Sequence, residues 1–189
     1  CSESEILCTS LVDTKQGGTG SMSYAVLGID PSGNFAEGKG TTGWALLVDG
    51  ELTRVGEVRA AHYQTKEEYW DGILKVIFSL ARDRSAVVCE SYQLYHHKGQ
   101  RAESQAYSFL ETPQLIGALS YTLFKNNIPL VFQSASQVKS RWKDDVLAAK
   151  GFIEKMGSSY YFKGARINQH IRDAIRHALH YWRYGMKVK

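Results

Sequence analysis

Cysteine is scarce in this chain of 189 residues: Cys1, Cys8 and Cys89 are the only three. An odd, sparse count, with Cys89 inside the apolar run Ala86-Val87-Val88-Cys89, argues against a disulfide framework and for reduced thiols in a cytoplasmic setting. No Cys-x-x-Cys pair occurs, which weighs against zinc. No run of 18 or more apolar residues occurs, so no membrane-spanning helix is expected. Residues 1–21 lack a basic start followed by an apolar run, which removes the signal-peptide reading. They carry Gly17-Gly18-Thr19-Gly20-Ser21 and no useful periodicity. Met22 is the expected natural start, residues 1–21 a tag remnant or disordered arm, and residues 22–189 one domain. Apolar residues make up 43% of the chain, enough for a sizeable core.

Net charge is only +4, but it is unevenly spread. Residues 139–189 hold twelve Lys or Arg against four acids, a net +8, while the preceding 138 residues hold 11 bases and 15 acids, a net −4. Such segregation suits a polyanionic partner, although a solvated helical face would look the same.

From Ser23 the pattern is rich in strands. Apolar runs predict strands over 24–30, 42–48, 51–58, 85–90 and 129–132, and Asp49-Gly50 predicts a tight hairpin between the second and third. Helical spacing marks 66–82, a long helix of roughly 103–126, and helical segments from 133 onward that end with 168–184. Three antiparallel strands followed by helix–strand–helix–strand–helix predict an α/β fold, a five-stranded mixed sheet flanked by helices.

Four side chains able to grip a divalent cation are scattered through this pattern: Asp30, Glu90, His170 and Asp173. Asp30 and Glu90 each end an apolar strand, at the edge where open α/β sheets take their ligands. A carboxylate there is hard to desolvate unless a cation or hydrogen bonds meet it. His170 and Asp173, three apart, share one helix face. Singly, Asp30 suits a turn before Pro31-Ser32, Glu90 a salt-bridged strand end, and Asp173 a local pair with Arg172, Arg176 or His177. Their conjunction points to a metal centre: two hard cations that activate water and stabilise the leaving oxygen of a phosphodiester. Asp30 is the expected bridging ligand, and His170 either a ligand or a proton carrier. His177 and His180 are expected to pack or face solvent.

Val26-Leu27-Gly28-Ile29-Asp30-Pro31-Ser32 with Thr42-Gly43-Trp44-Ala45 resembles the opening hairpin of the RuvC-like Holliday-junction resolvases. Val87-Val88-Cys89-Glu90 is similar to that family's strand ending in a catalytic glutamate. His170-Ile171-Arg172-Asp173-Ala174-Ile175-Arg176-His177-Ala178 resembles its terminal helix, and Gln137-Val138-Lys139 a segment after its fifth strand. The resemblance spans about residues 24–184. It implies a ribonuclease H-like fold and a homodimer, with the long helix at its interface. It also implies Mg2+-dependent cleavage of four-way DNA junctions, with two ions per site and Mn2+ able to substitute.

Tyr92 or Tyr95 would stack on an unpaired base. His96, Lys98, Arg101, Lys139, Arg141, Lys143, Arg166 and Arg172 would meet backbone phosphates. The chain departs from the family in an enlarged Gly-rich connection at 31–41 and in Gln93, where the family often carries an aromatic. Those departures fit a bacteriophage-type member with broader branched-DNA activity, and an RNA/DNA-hybrid nuclease on the same fold is the alternative reading. A non-catalytic DNA-binding scaffold leaves the strand-end carboxylates unexplained. A nucleotide cofactor is not expected, because the actin-like ATPase and sugar-kinase folds need two lobes and the chain is too short for both.

Overall fold

The computed structural model describes residues 23–81, 85–92 and 110–186. Residues 1–21, the loop positions Tyr95, His96, Lys98 and Arg101, and the stretch 103–109 of the predicted long helix lie outside the described residues. The expected sheet is present, five strands in the order β3-β2-β1-β4-β5. The central strand β1 (Ala25–Asp30) pairs antiparallel with β2 (Thr41–Val48), which pairs antiparallel with β3 (Glu51–Arg59). On its other side β1 runs parallel to β4 (Ser85–Glu90), and β4 parallel to β5 (Leu130–Gln133). Asp49 and Gly50 both take positive φ (51° and 88°), the conformation that a two-residue turn matched to strand twist requires.

The two-residue period of a strand divides β1 and β4 between two cores. Leu27, Ile29, Val87 and Cys89 face α1 (Lys66–Leu80) and α2 (Glu111–Lys125), packing with Tyr69, Ile73, Ile77, Leu115, Leu119 and Leu123. Helix α1 opens on a complete capping box between Thr65 and Glu68. Val26 and Val88 face the opposite side, with Val138 of α3 (Ala135–Arg141), Leu147 of α4 (Asp144–Ala149), and Ile171, Ala174, Ile175 and Ala178 of α5 (Gln169–His180). Gly28, Asp30 and Glu90 share this parity and look toward α5. Cys89 is a free, fully buried thiol whose pKa is pushed up by burial and then by the charges of Asp30 and Glu90. Among the described residues no helix is long and apolar enough to cross a membrane.

Two expectations are corrected. Helical segments were expected to fill the chain after β5, but residues 154–167 form a separate antiparallel sheet. Its strands are β6 (Glu154–Met156), β7 (Ser159–Phe162) and β8 (Ala165–Ile167). Gly157 (φ 59°) and the pair Lys163-Gly164 (φ 48° and 78°) turn the chain too soon for a helix. The long helix cannot run unbroken from 103, because Leu110 stands at the start of α2 in the left-handed region (φ 45°). The enlarged connection after β1 is tied down on the α1 and α2 side. Gly33 N donates to Thr112 Oγ1 (3.0 Å), Phe35 N to Glu111 Oε2 (2.9 Å), and Trp70 Nε1 to Gly33 O (3.0 Å).

Helix α5 approaches the sheet backbone against backbone. A Cβ on Gly28 would stand 2.2 Å from the carbonyl oxygen of Ala174, and one on Gly43 2.3 Å from the carbonyl of His170. Residues 170, 174 and 178 form the ridge of α5 that lies over these two glycines. Gly28→Ala or Gly43→Ala should therefore lower unfolding stability by about 1–3 kcal/mol through overpacking. Gly117→Ala is the opposed control: its added Cβ meets nothing within 4 Å. It lies inside α2 and should stabilise by about 0.5–1 kcal/mol. Urea unfolding of the three variants checks both signs.

Candidate active site

Asp30 and Glu90 end adjacent parallel strands whose register pairs Ile29 with Cys89, so their Cα atoms lie about one strand spacing (roughly 5 Å) apart. Asp30 is also paired across β2 with Gly43, the residue on which the His170 backbone rests. That contact delivers the start of α5 to the strand ends. Asn168 caps the helix by accepting from Ile171 N (3.0 Å). His170 Nδ1 then lies 2.7 Å from Asp30 Oδ2. One turn on, Asp173 is only 4% exposed and accepts from Gln169 Nε2 at both oxygens (3.0 Å each) and from Arg176.

Lys139 of α3 stands between two of the acids, with Nζ 3.2 Å from Asp173 Oδ2 and 3.5 Å from Glu90 Oε2. The same Glu90 oxygen also meets His177, whose Nε2 is 3.2 Å from Oε2. The Gln133 amide satisfies both of its ends when its nitrogen faces His177, donating to Nδ1 (3.0 Å), and its oxygen accepts from Tyr181 N (3.3 Å). That orientation assigns the imidazole proton to Nε2, from which it is donated to Glu90. Arg176 is held in turn by donating to Trp142 O (2.7 Å) and Asp144 Oδ1 (2.5 Å).

The charge states follow from these contacts. Burial raises the pKa of Asp30, and the neighbouring Glu90 and Asp173 add to the rise; the hydrogen bond and charge of His170 oppose it without reversing it. Burial also pushes Glu90 up, but the His177 hydrogen bond and the Lys139 charge outweigh it, and Glu90 stays below the usual carboxylate range. Asp173 is likewise held low against its burial, by Gln169, Arg176 and Lys139. The hydrogen bond to Asp30 raises His170. Burial works against the Lys139 ammonium, yet Asp173 and Glu90 carry its pKa above the usual lysine value.

Of the four residues singled out as metal ligands, Asp30 meets His170, and Glu90 and Asp173 both meet Lys139. Among the described residues no three of His, Cys, Asp or Glu are arranged so that they could hold a metal ion. The donor chemistry nevertheless fits a hard divalent ion. Two strand-end carboxylates and Asp173 of α5 supply hard oxygen donors, Lys139 already answers part of the negative field of Glu90 and Asp173, and Mg2+ takes one or two carboxylates and keeps several waters.

The expected phosphate contacts divide. Lys139 reaches Glu90 and Asp173 with its side chain still 42% exposed. Arg141 lies over the Tyr184 ring (4.9 Å). Arg172 donates to Asp144 Oδ1 (2.9 Å) and covers Tyr160 (4.6 Å). Lys143 and Arg166 are exposed, and Tyr92, two residues beyond Glu90, is 45% exposed. Tyr95, His96, Lys98 and Arg101 fall outside the described residues.

His177 packs, one of the two outcomes expected for it, and in doing so it is fully buried and bonded to Glu90. Its signal was its place four residues after Asp173, on the same helix face. Arg176 pairs locally with Asp173, as the spacing allowed. Gln169 and Gln133 were missed: Gln169 lies four residues before Asp173 on the same face, whereas Gln133 meets His177 only because β5 runs beside the closing helix.

No protein-family model and no curated protein sequence matches the chain. Solved structures do. Thermus thermophilus RuvC in complex with Holliday junction substrate superposes with a TM-score of 0.59 at 18% identity, covering 87% of this chain and 96% of that one. A second Thermus thermophilus RuvC structure gives 0.56 at 19% identity, covering 86% and 96%. The fold is therefore ribonuclease H-like, as in RuvC.

The Asp30–His170 pair makes a test in metal-free solution. The folded His170 pKa is raised, so its contribution to stability is complete below the ordinary imidazole value of about 6.5 and is lost as pH rises through the folded value. Imidazole titration by NMR should place the His170 midpoint above that of free histidine, and Asp30→Asn should bring it down. An unchanged midpoint in the variant would remove the pairing.

Proposed function

We propose that this chain is a divalent-metal-dependent endonuclease that cuts branched DNA, four-way junctions foremost, working as a homodimer. One observation carries the reading: Asp30, Glu90, His170 and Asp173 come from two parallel strands and a closing helix to a single edge of a ribonuclease H-like sheet. The RuvC structure that shares this fold is in complex with Holliday junction substrate.

Asp30, Glu90, Asp173 and His170 would hold Mg2+, or Mn2+ in its place, two ions per site. Bound there, the ions supply an activated water and a stabilised leaving oxygen for phosphodiester hydrolysis. The protein groups have separate tasks. His177 fixes which way Glu90 points, and Gln169 and Arg176 do the same for Asp173. His170, whose side chain is 43% exposed, keeps one imidazole nitrogen on Asp30 and is placed to hold or move a proton at the attacking water. Lys139 stays protonated at neutral pH and offers its positive charge to the phosphate at the rim.

A homodimer gains support from the α2 side of the sheet edge. Tyr121 (64% exposed) and Phe124 (76%) on α2 accompany Phe132 (48%) on the edge strand β5. Exposed aromatics clustered beside an open strand edge suit an interface, and a two-fold pair of sites matches paired nicks on opposing strands.

Asp30→Asn and Glu90→Gln should each abolish Mg2+-dependent cleavage of a four-way junction while leaving junction binding in EDTA intact. His177→Ala should lower activity or metal affinity by about 10–100-fold, again with binding preserved. Gel mapping of nick positions on junction, flap, duplex and RNA–DNA hybrid substrates checks these outcomes and the breadth of specificity together. Retained cutting by Asp30→Asn would falsify the metal-site assignment.

A further inference from the structure

Beside the carboxylates lies a groove of about 410 Å³, walled by the end of β3, the small β6–β8 sheet and the start of α5. The residues that set its chemistry are Arg59, Arg166, Arg172, Ser159, Asn168 and Glu57. We infer that this groove is a second, non-catalytic subsite for DNA, gripping a backbone phosphate of the strand being cut a few nucleotides from the scissile bond. The inference rests on the nuclease reading and adds where the strand runs.

Charge is the first argument. Three guanidiniums face one carboxylate, and that carboxylate is already engaged: Glu57 accepts from Arg59 Nε (2.6 Å) and from Asn168 Nδ2. Arg172 is clamped by Asp144 (2.9 Å) and by Gln169 Oε1 (2.5 Å), which fixes its plane instead of leaving it to wander. The Arg166 side chain, on the exposed strand β8, makes no hydrogen bond or ion pair among the described residues. One fixed and one uncommitted guanidinium across a concave wall suit a tetrahedral anion, which arginine takes in a bidentate manner. The first turn of α5 contains no acid to oppose such an anion.

Shape and position exclude other occupants. A base would need an open aromatic face, but the Tyr160 ring is covered by Arg172 (4.6 Å) and Lys155 (5.9 Å). The sheet register places Asp30 opposite Gly43 and Gly43 opposite Glu57, so the groove begins two strand spacings, about 10 Å, from the proposed metal centre. At the roughly 3.4 Å rise per nucleotide of B-DNA, one strand covers that distance in about three nucleotides.

Fluorescence anisotropy of the full chain with a labelled four-way junction in EDTA, across a salt series, tests the inference. Arg166→Ala should weaken binding roughly tenfold and lower the slope of log affinity against log salt by about one. Arg166→Glu should weaken binding further, while Lys75→Ala, on helix α1 at the opposite sheet face, should match the wild type. Matching circular-dichroism melts show that the variants are folded. Wild-type affinity and slope in both Arg166 variants would overturn the groove and leave the nuclease reading standing. A wild type that binds neither junction, flap nor duplex overturns both. Thermal stabilisation by millimolar dAMP that Arg166→Ala abolishes, with junction affinity unchanged, would make the groove a small-molecule phosphate pocket and also overturn it.

Discussion

Everything at the proposed centre depends on how closely α5 lies on the sheet. The helix can seat its backbone on β1 and β2 only because Gly28 and Gly43 present no side chain there: a Cβ at either would meet Ala174 O or the His170 carbonyl at 2.2–2.3 Å. Gly43 is also the cross-strand partner of Asp30. A single close approach therefore positions the helix and places His170 over the strand-end carboxylate. A larger side chain at 43 would lift the first turn of α5 and draw His170 away from Asp30. Packing and chemistry share one contact here, and neither can vary alone.

Close approach creates an electrostatic difficulty that the surroundings solve unevenly. Glu90 and Asp173 are each held ionised by several partners: His177 and Lys139 for the first, Gln169, Arg176 and Lys139 for the second. Asp30 has His170 alone, and burial still prevails. Removing one member of a buried ion pair leaves an uncompensated charge, typically a loss of about 3–5 kcal/mol. Arg176, 5% exposed and bonded to Asp173, Asp144 and the Trp142 carbonyl, is placed where that penalty is largest. Its role is to hold Asp173 in position, and through Asp144 it also ties α4 to the closing helix.

Much of this arrangement was legible in the sequence, for identifiable reasons. Long apolar runs ending in a carboxylate marked β1 and β4, Asp49-Gly50 marked the hairpin, and the three-residue interval of His170 and Asp173 marked one helix face. The β6–β8 sheet was not legible, since strands of three or four residues carry too little period to stand against a helical reading. Nor was the place of Lys139 against Glu90 and Asp173, which it reaches from the surface. A lysine in a short amphipathic segment ordinarily reads as solvent-facing, and only the meeting of α3 with α5 brings it between two acids. The family resemblance supplied a reaction and helical spacing the Asp173–Arg176 pair, whereas the bonds of Glu90 to His177 and Lys139 had to come from the fold.

The polar groups that matter lie along one transverse line at the edge of the sheet. From β3 to β5 the register runs Glu57, Gly43, Asp30, Glu90, Gln133, with Asp30 and Glu90 ending neighbouring strands. On the α5 side this line meets, in order, Asn168, the His170 backbone, the His170 imidazole and then His177. One residue back along β1 and β4, Ile29 and Cys89 turn to the other face and are wholly buried in apolar contacts. A shift of register by one would exchange the two sets, sending every carboxylate into a hydrocarbon core and every core residue to the edge. Strand pairing that protects the core therefore also protects the site, because both are read from the same alternation along β1 and β4.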